Sequence, residues 1–163
     1  MNQHVRVRFQ AEELLRVEDF EELCALIHQM QLECEPHLDF NEAKIYAHMY
    51  HCVNDLKRDQ LNCWIVRYNG VISAFGVGRM RDFMFSDKLV ASLQFWYVKP
   101  AFRKTWMAYS IFHTYEQWAK LLGALRIEVG AAKSVGDPEV INKMFVKRGY
   151  VHIGELYYKP IGE

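Results

Sequence analysis

Neither sign of charge is in excess in this sequence: Lys and Arg together number 20, as do Asp and Glu, for a formal net charge of zero. The long-range attraction that draws polyanions to basic proteins is therefore missing, and neither nucleic acid nor a membrane surface is an expected partner. Long apolar runs are missing too. No stretch approaches the roughly 20 residues of a membrane-spanning helix, and the opening MNQHVRVRFQ lacks the apolar segment of a secretory leader. A soluble, cytoplasmic protein is expected. There is no internal repeat, no low-complexity tract and no linker rich in Pro, Gly and Ser. The G-x-S-x-G, Walker, G-x-G-x-x-G and H-E-x-x-H patterns are all absent, which removes support for a hydrolase, a nucleotidase, a dinucleotide enzyme or a metalloprotease.

Cysteine is sparse, with Cys24, Cys34, Cys52 and Cys63 alone in 163 residues. A chain of this length buries enough surface to fold without disulfides, so free buried thiols are expected. Cys34 with His37 and His48 with Cys52 loosely imitate zinc-ligand spacing, and the second pair would share a helical face as i and i+4. The first pair, however, sits in a loop with Pro36, and His51 competes with His48. No metal site is expected.

The length suits one domain over residues 1–163. Val5 to Phe9 alternates as a half-exposed strand does. Val17, Phe20, Leu23, Cys24 and Ile27 follow helical spacing behind an acidic first turn. Asp39 and Glu42 have the spacing of a capping box, ahead of a second helical stripe at Tyr46, Met49, Tyr50 and Val53. Two strand-like runs, Leu61 to Arg67 and Val71 to Phe83, flank Asn69-Gly70, a pair suited to the positive φ angles of a tight hairpin. A turn at Ser86 to Lys88 leads to a third strand, Leu89 to Val98, apolar on both faces as a central strand is. A helix then runs from about Lys104 to Leu122, with Ala108, Ile111, Phe112, Tyr115, Ala119 and Leu122 on one face and Gly123 closing it. Leu125 to Val129 follows as a strand parallel to the Leu89 strand, since a helix connects them. Asp137 and Pro138 open a last helix that ends near Gly149, and Tyr150 to Ile153 and Leu156 to Lys159 read as closing strands.

Within this order, Val98 to Gly130 carries the chemistry. A strand ends at Pro100, a basic and polar turn follows, and a helix begins whose first N–H groups face whatever lies beyond the strand. Val98, Pro100, Arg103 and Ala108 fit a V-x-P-x-x-R-x-x-G-x-G/A run, with Trp106 where the run has glycine. The segment resembles the acetyl-CoA-binding core of the GNAT-type N-acetyltransferase superfamily, as a divergent member. The element order, β-α-α-β-β-β-α-β-α-β-β, is similar to that family's from end to end. The resemblance implies an α/β fold (α+β mixed sheet), mostly antiparallel, with one splayed parallel pair.

It further implies that acetyl-CoA is the co-substrate, held by Val98 and by the turn Arg103, Lys104, Thr105, Trp106, Met107 and Ala108, mainly through backbone N–H groups. Glycine in such a turn lets pyrophosphate approach closely. Trp106 would narrow or fill that space unless its indole swings outward, and truncating a buried Trp costs about 3 to 5 kcal/mol. Near the C-terminus, Phe145 stands where the family has a proton-donating tyrosine, Pro138 stands where it has asparagine, and Asn142 is one turn out of register. Gln94 stands where a carboxylate base is common. The remaining titratable candidates are Glu128 and Tyr150, followed by His113 and His152.

Two functions fit these residues. One is an acyl-CoA-dependent N-acyltransferase with a degenerate cofactor motif, acting by direct attack of a small-molecule or protein amine. The other is a catalytically inactive structural or interaction protein of the same fold, for example a bacteriophage virion component, working through protein partners. The aromatic side chains of Trp64, Trp96, Tyr97, Trp106 and Trp118 would serve the second if they formed an exposed patch.

Overall fold

The computed structural model describes residues 9–54, 60–130 and 137–154. The chain divides into two compact units, Met1–Gly130 and Ala131–Glu163. The first unit contains β1 (Ala11–Glu13), a 3-10 turn (Val17–Asp19), α1 (Phe20–Cys34), α2 (Glu42–Val53), β2 (Leu61–Tyr68), β3 (Val71–Phe83), β4 (Ser86–Val98), a second 3-10 turn (Pro100–Phe102), α3 (Met107–Leu121) and β5 (Arg126–Val129). The second contains α4 (Pro138–Lys147). Among the described residues the strands make one five-stranded sheet in sequence order, antiparallel except for the parallel β4–β5 pair. This is the mixed sheet with a parallel pair that the sequence implied.

Two glycines position α3. A Cβ at Gly76 would lie 2.5 Å from Ile111 Cγ2, and one at Gly78 would lie 2.8 Å from the Trp64 ring and 3.0 Å from Tyr115. The helix therefore rests against bare β3 backbone, with Met107, Ile111, Phe112, Tyr115, Trp118 and Ala119 buried beneath it. Strand residues alternate, so Phe75 points to the other face, where its ring lies 6.4 Å from that of Tyr97 and the Tyr97 hydroxyl donates to Glu33 of α1. Helices α1 and α2 cover that second face. They meet through Phe20, whose ring packs edge-on against Tyr46 and Tyr50 at 6.1 and 5.0 Å.

Several boundaries differ from the sequence reading. The expected strand at Val5 to Phe9 lies outside the described residues except for Phe9, and the described first strand is Ala11–Glu13. The α2 cap is Asn41, not Asp39: its Oδ1 accepts from the Lys44 N–H at 2.9 Å. Tyr50 is exposed, and Cys52 takes the core position beside Met49. The Asn69-Gly70 turn has the positive φ angles expected of it, 50° and 82°. The next turn comes earlier than predicted, at Met84-Phe85, because Phe83 pairs directly with Ser86 and β4 starts there. Helix α3 begins three residues later than expected, since Pro100–Phe102 forms its own 3-10 turn. Asp137 caps α4 as predicted, accepting from the Glu139 N–H at 2.9 Å. Residues 150–153 form no strand, and the partner expected for them, Leu156 to Lys159, lies outside the described residues.

The contact between α3 and β3 can be tested directly. Gly78→Ala puts a methyl into the rigid Trp64 ring, and urea denaturation should show a loss of about 1 to 3 kcal/mol, the usual range for overpacking a filled core.

Candidate functional site

The site begins where β4 leaves β5. Parallel pairing runs from Val90↔Arg126 to Leu93↔Val129 and then ends. At the same point the β3–β4 register shifts: Gly78 pairs with Leu93 and Val77 with Phe95, so Gln94 is a bulged extra residue. A bulge bends its strand and increases the local twist, which turns the end of β4 away from β5. From Gln94 to Val98 the β5-side edge of β4 has no strand partner among the described residues. Trp96 lies across this opening, its ring 5.1 Å from Phe112 and its indole N–H donating to the Gly130 carbonyl at 2.8 Å.

The turn into α3 presents donors. Thr105 N–H donates to the Phe102 carbonyl at 3.0 Å, and Thr105 Oγ1 donates to the same carbonyl at 2.7 Å while lying 3.4 Å from the Met107 nitrogen. The N–H groups of Lys104, Trp106 and Ala108 have no backbone acceptor among the described residues. No side chain caps the helix, whose N-cap is Trp106. The Trp106 indole swings outward, one of the two arrangements its size left open. It is 67% exposed, and its ring meets Tyr109 edge-on at 5.2 Å, one turn along α3. His113 extends the column, its ring parallel to Tyr109 at 6.2 Å. Met107 is fully buried, Ala108 is half-buried, and Lys104 is exposed with no ionic partner among the described residues.

Arg103 turns the other way. Its NH2 pairs with Glu33 Oε2, its Nε donates to the Val98 carbonyl at 3.1 Å, and its guanidinium lies 5.4 Å from the centre of the Tyr97 ring. Glu33 also accepts from the buried Tyr97 hydroxyl. Burial alone would raise the Glu33 carboxyl, but hydrogen bonds from Tyr97 and Arg103 outweigh it and hold it below the usual carboxylate range. Burial, followed by the Glu33 contact, pushes the Tyr97 phenol well above its ordinary value. The residue expected to carry charge toward a phosphate thus fastens α1 to the end of β4 and takes up the Val98 carbonyl.

Glu128 on β5 is also engaged. It binds Arg81 and Arg126, the second at 2.6 Å, and these contacts overcome burial to hold its pKa below the usual range. A carboxylate kept ionised between two guanidiniums has little tendency to take a proton. Tyr150 lies in the second unit, 5.5 Å from the ring of Phe145, and its N–H donates to the Phe145 carbonyl at 3.0 Å. His152 is exposed in the same unit. The first unit therefore brings Gln94, Trp96, Val98 and the Lys104–Ala108 turn together around one opening. Trp96 was missed as a site residue, although its place one residue before Tyr97 on a strand of known parity marks it as facing α3.

A second feature lies beside the bulge. Gln60, Arg79, Arg81, Asp82, Leu89 and Gln94 line a groove of about 420 Å³. Among the described residues no three His, Cys, Asp or Glu side chains come together in a way that could hold a metal ion. Burial pushes the Cys52 thiol up to about 12 and the Cys63 thiol well above its ordinary value, and both are therefore protonated and unreactive.

Residues 20–150 match the model of the acetyltransferase (GNAT) family. No curated protein matches the chain in sequence. Among solved structures, an aminoglycoside N-acetyltransferase in complex with CoA is similar at 16% identity, over 95% of this chain and 96% of that one, with a TM-score of 0.72. A glucosamine-6-phosphate N-acetyltransferase from Arabidopsis thaliana is 14% identical over 95% and 99%, TM-score 0.71. A ribosomal-protein-alanine N-acetyltransferase from Brucella melitensis biovar Abortus 2308 is 13% identical over 95% and 100%, TM-score 0.68. At these identities the likeness is one of fold.

Two measurements test the site's local physics. Because the indole is exposed, Trp106→Ala should change stability by no more than about 0.5 kcal/mol; the urea midpoint reads this. His48 on α2 has a pKa lowered first by burial and then by the charges of His51, Arg79 and Lys44, and its Nε2 is buried without a hydrogen-bond partner among the described residues. The unfolded chain protonates this side chain near pH 6.5, whereas the folded chain resists until lower pH. Stability should therefore fall as pH drops below 6.5, before the depressed carboxyls Glu33 and Glu128 titrate below 4.5. Urea midpoints at pH 7.5 and 5.5 should differ less in His48→Gln than in the wild type.

Proposed function

The chain belongs to the acetyltransferase (GNAT) family, and we propose that it transfers an acetyl group from acetyl-CoA to the amine of a small molecule or protein. One observation carries this reading: the β4 edge freed at Gln94 leads straight to a helix start where the N–H groups of Lys104, Trp106 and Ala108 have no backbone acceptor among the described residues and the Trp106 ring is exposed. The residues fit the co-substrate. The N–H groups of Lys104, Trp106 and Ala108 would hold its phosphates, with Lys104 adding charge, and the unpaired edge of β4 would bond the amides of its pantetheine arm. Bound there, acetyl-CoA would supply a thioester carbonyl: the amine nitrogen would bond to it as the C–S bond breaks, an amine proton would pass to water, and CoA would leave as a thiolate that takes a proton back from water. Trp96 limits the depth of the opening, and Arg103 holds the Val98 end of β4 in place through Glu33. The family match crosses both units, which supports reading 1–163 as one domain. The similar structures include acetyltransferases named for aminoglycoside, sugar-phosphate and protein substrates, which supports an amine acceptor without choosing among them. The proposed setting is the cytoplasm.

A second reading draws on a different observation. Gln94 cannot accept a proton, and Glu128 is held between two arginines. This favours a non-catalytic protein of the same fold that binds a partner, such as a bacteriophage virion component, with the exposed Trp106, Tyr109 and His113 column as a contact surface.

Calorimetry and thermal melting with acetyl-CoA separate the two. A ligand at about 100 times its Kd adds roughly 2.7 kcal/mol to the native state, so Tm should rise clearly at millimolar acetyl-CoA, and free thiol should appear once an amine is supplied. The absence of both heat and a Tm shift would overturn the enzyme reading in favour of the second.

A further inference from the structure

The groove beside the bulge contains a cation with no counter-ion among the described residues. Arg16, Arg67, Arg81, Arg103 and Arg126 each pair with a carboxylate. Arg79 makes no ion pair and no side-chain hydrogen bond among the described residues, and it is exposed. Its place follows from the pleat. Arg79 and Arg81 continue the row of Phe75 and Val77, on the sheet face covered by α1 and α2, where the charge of Arg79 also reaches His48. Across the sheet, Arg79 pairs in register with Ser92, which pairs with Glu128.

Glu128 is already shared by Arg81 and Arg126, so it leaves no carboxylate for Arg79. Asp82 is the other anion of the groove. It stands three residues further along β3, roughly 10 Å at 3.3 Å per residue, and alternation sends it to the opposite face. No contact between the two forms. Among the described residues, three guanidiniums thus stand against two carboxylates on this stretch of β3 and β5. The surplus positive charge lies in a groove that reaches Gln94, the residue at which β4 parts from β5.

We propose that this groove receives the acyl acceptor and that Arg79 binds an anionic group, carboxylate or phosphate, carried by the acceptor beside its amine. The assignment rests on the acyl-transfer reading, since it gives the groove a role in that reaction. An arginine fork matches either oxyanion through two parallel hydrogen bonds, and Gln60 and Gln94 add neutral donors to the same groove. The anion also fixes which part of the molecule faces the opening. With its charge anchored at Arg79, the acceptor directs its amine along the groove toward Gln94.

The test uses the full chain and three small amines: ethanolamine, β-alanine and O-phosphoethanolamine. Binding is read by NMR titration without acetyl-CoA, so that it does not depend on turnover. O-Phosphoethanolamine, β-alanine or both should bind at least about tenfold more tightly than ethanolamine, and the two anionic arms tell phosphate from carboxylate. Arg79→Gln should abolish the preference, and Arg79→Lys should keep part of it. In both variants the acetyl-CoA-induced Tm shift should match that of the wild type. Equal binding of all three amines would overturn the proposal, as would an anion preference that survives Arg79→Gln. Selective anion binding in a chain that gives no response to acetyl-CoA would leave Arg79 as an anion site while removing acyl transfer. Should Arg79→Gln fail to fold, the wild-type preference must still fall steeply with salt, and a salt-independent preference would overturn the proposal.

Discussion

The seat of α3 on the bare backbone of β3 governs the geometry of the first unit. Gly76 and Gly78 bring the helix closer than any side chain would allow, and Ile111, Trp64 and Tyr115 fill the space a Cβ would have taken. With the helix held at that depth, Phe112 comes within 5.1 Å of Trp96 and the helix start falls next to the end of β4. The distance from the sheet to the first N–H groups of α3 is therefore set by two missing side chains on a neighbouring strand.

The opening between β4 and β5 depends on a second constraint, acting in the opposite sense. A parallel pair would continue to zip if the strands stayed straight, but the extra residue at Gln94 bends β4 out of line after Leu93. Something must then hold the loosened end. Arg103 does this by reaching back to the Val98 carbonyl and by joining Glu33, which also receives Tyr97. Removing a member of such a partly buried set leaves its neighbours without partners, which costs more than the set contributes when intact. One knot thus links α1, β4 and the turn into α3, and it leaves Lys104 as the charge that faces outward.

The expected chemistry survives unevenly. A backbone cradle is compatible with almost any side chain that points away, so Trp106 in the glycine position does not by itself rule one out, its ring being exposed and turned toward Tyr109. Acid–base chemistry is less forgiving, because it needs a group of suitable pKa at one place. Glu128 sits on the neighbouring strand, β5, but is drawn into an ion-pair cluster, and Gln94 holds the bulge without being titratable. Direct attack by an amine that reaches the site already neutral would ask the least of these residues.

The sequence by itself determined most of the described elements and their order. Periodicity marked α1, α2 and α3, the Asn-Gly pair marked the β2–β3 turn, Asp137-Pro138 marked the start of α4, and the family pattern from Val98 to Ala108 marked the turn into α3. These features are local, and a few neighbouring residues suffice to dictate them. What only the tertiary structure decided was direction and partnership: that Arg103 points inward to a glutamate 70 residues away, that Trp106 lies outside, that Gln94 is the bulged residue, and that Arg79 pairs with no carboxylate among the described residues while Arg81 and Arg126 do. A one-residue change of register exchanges the two faces of a strand, and an ion pair depends on which chains meet in space. Neither is written in the spacing of residues along one chain.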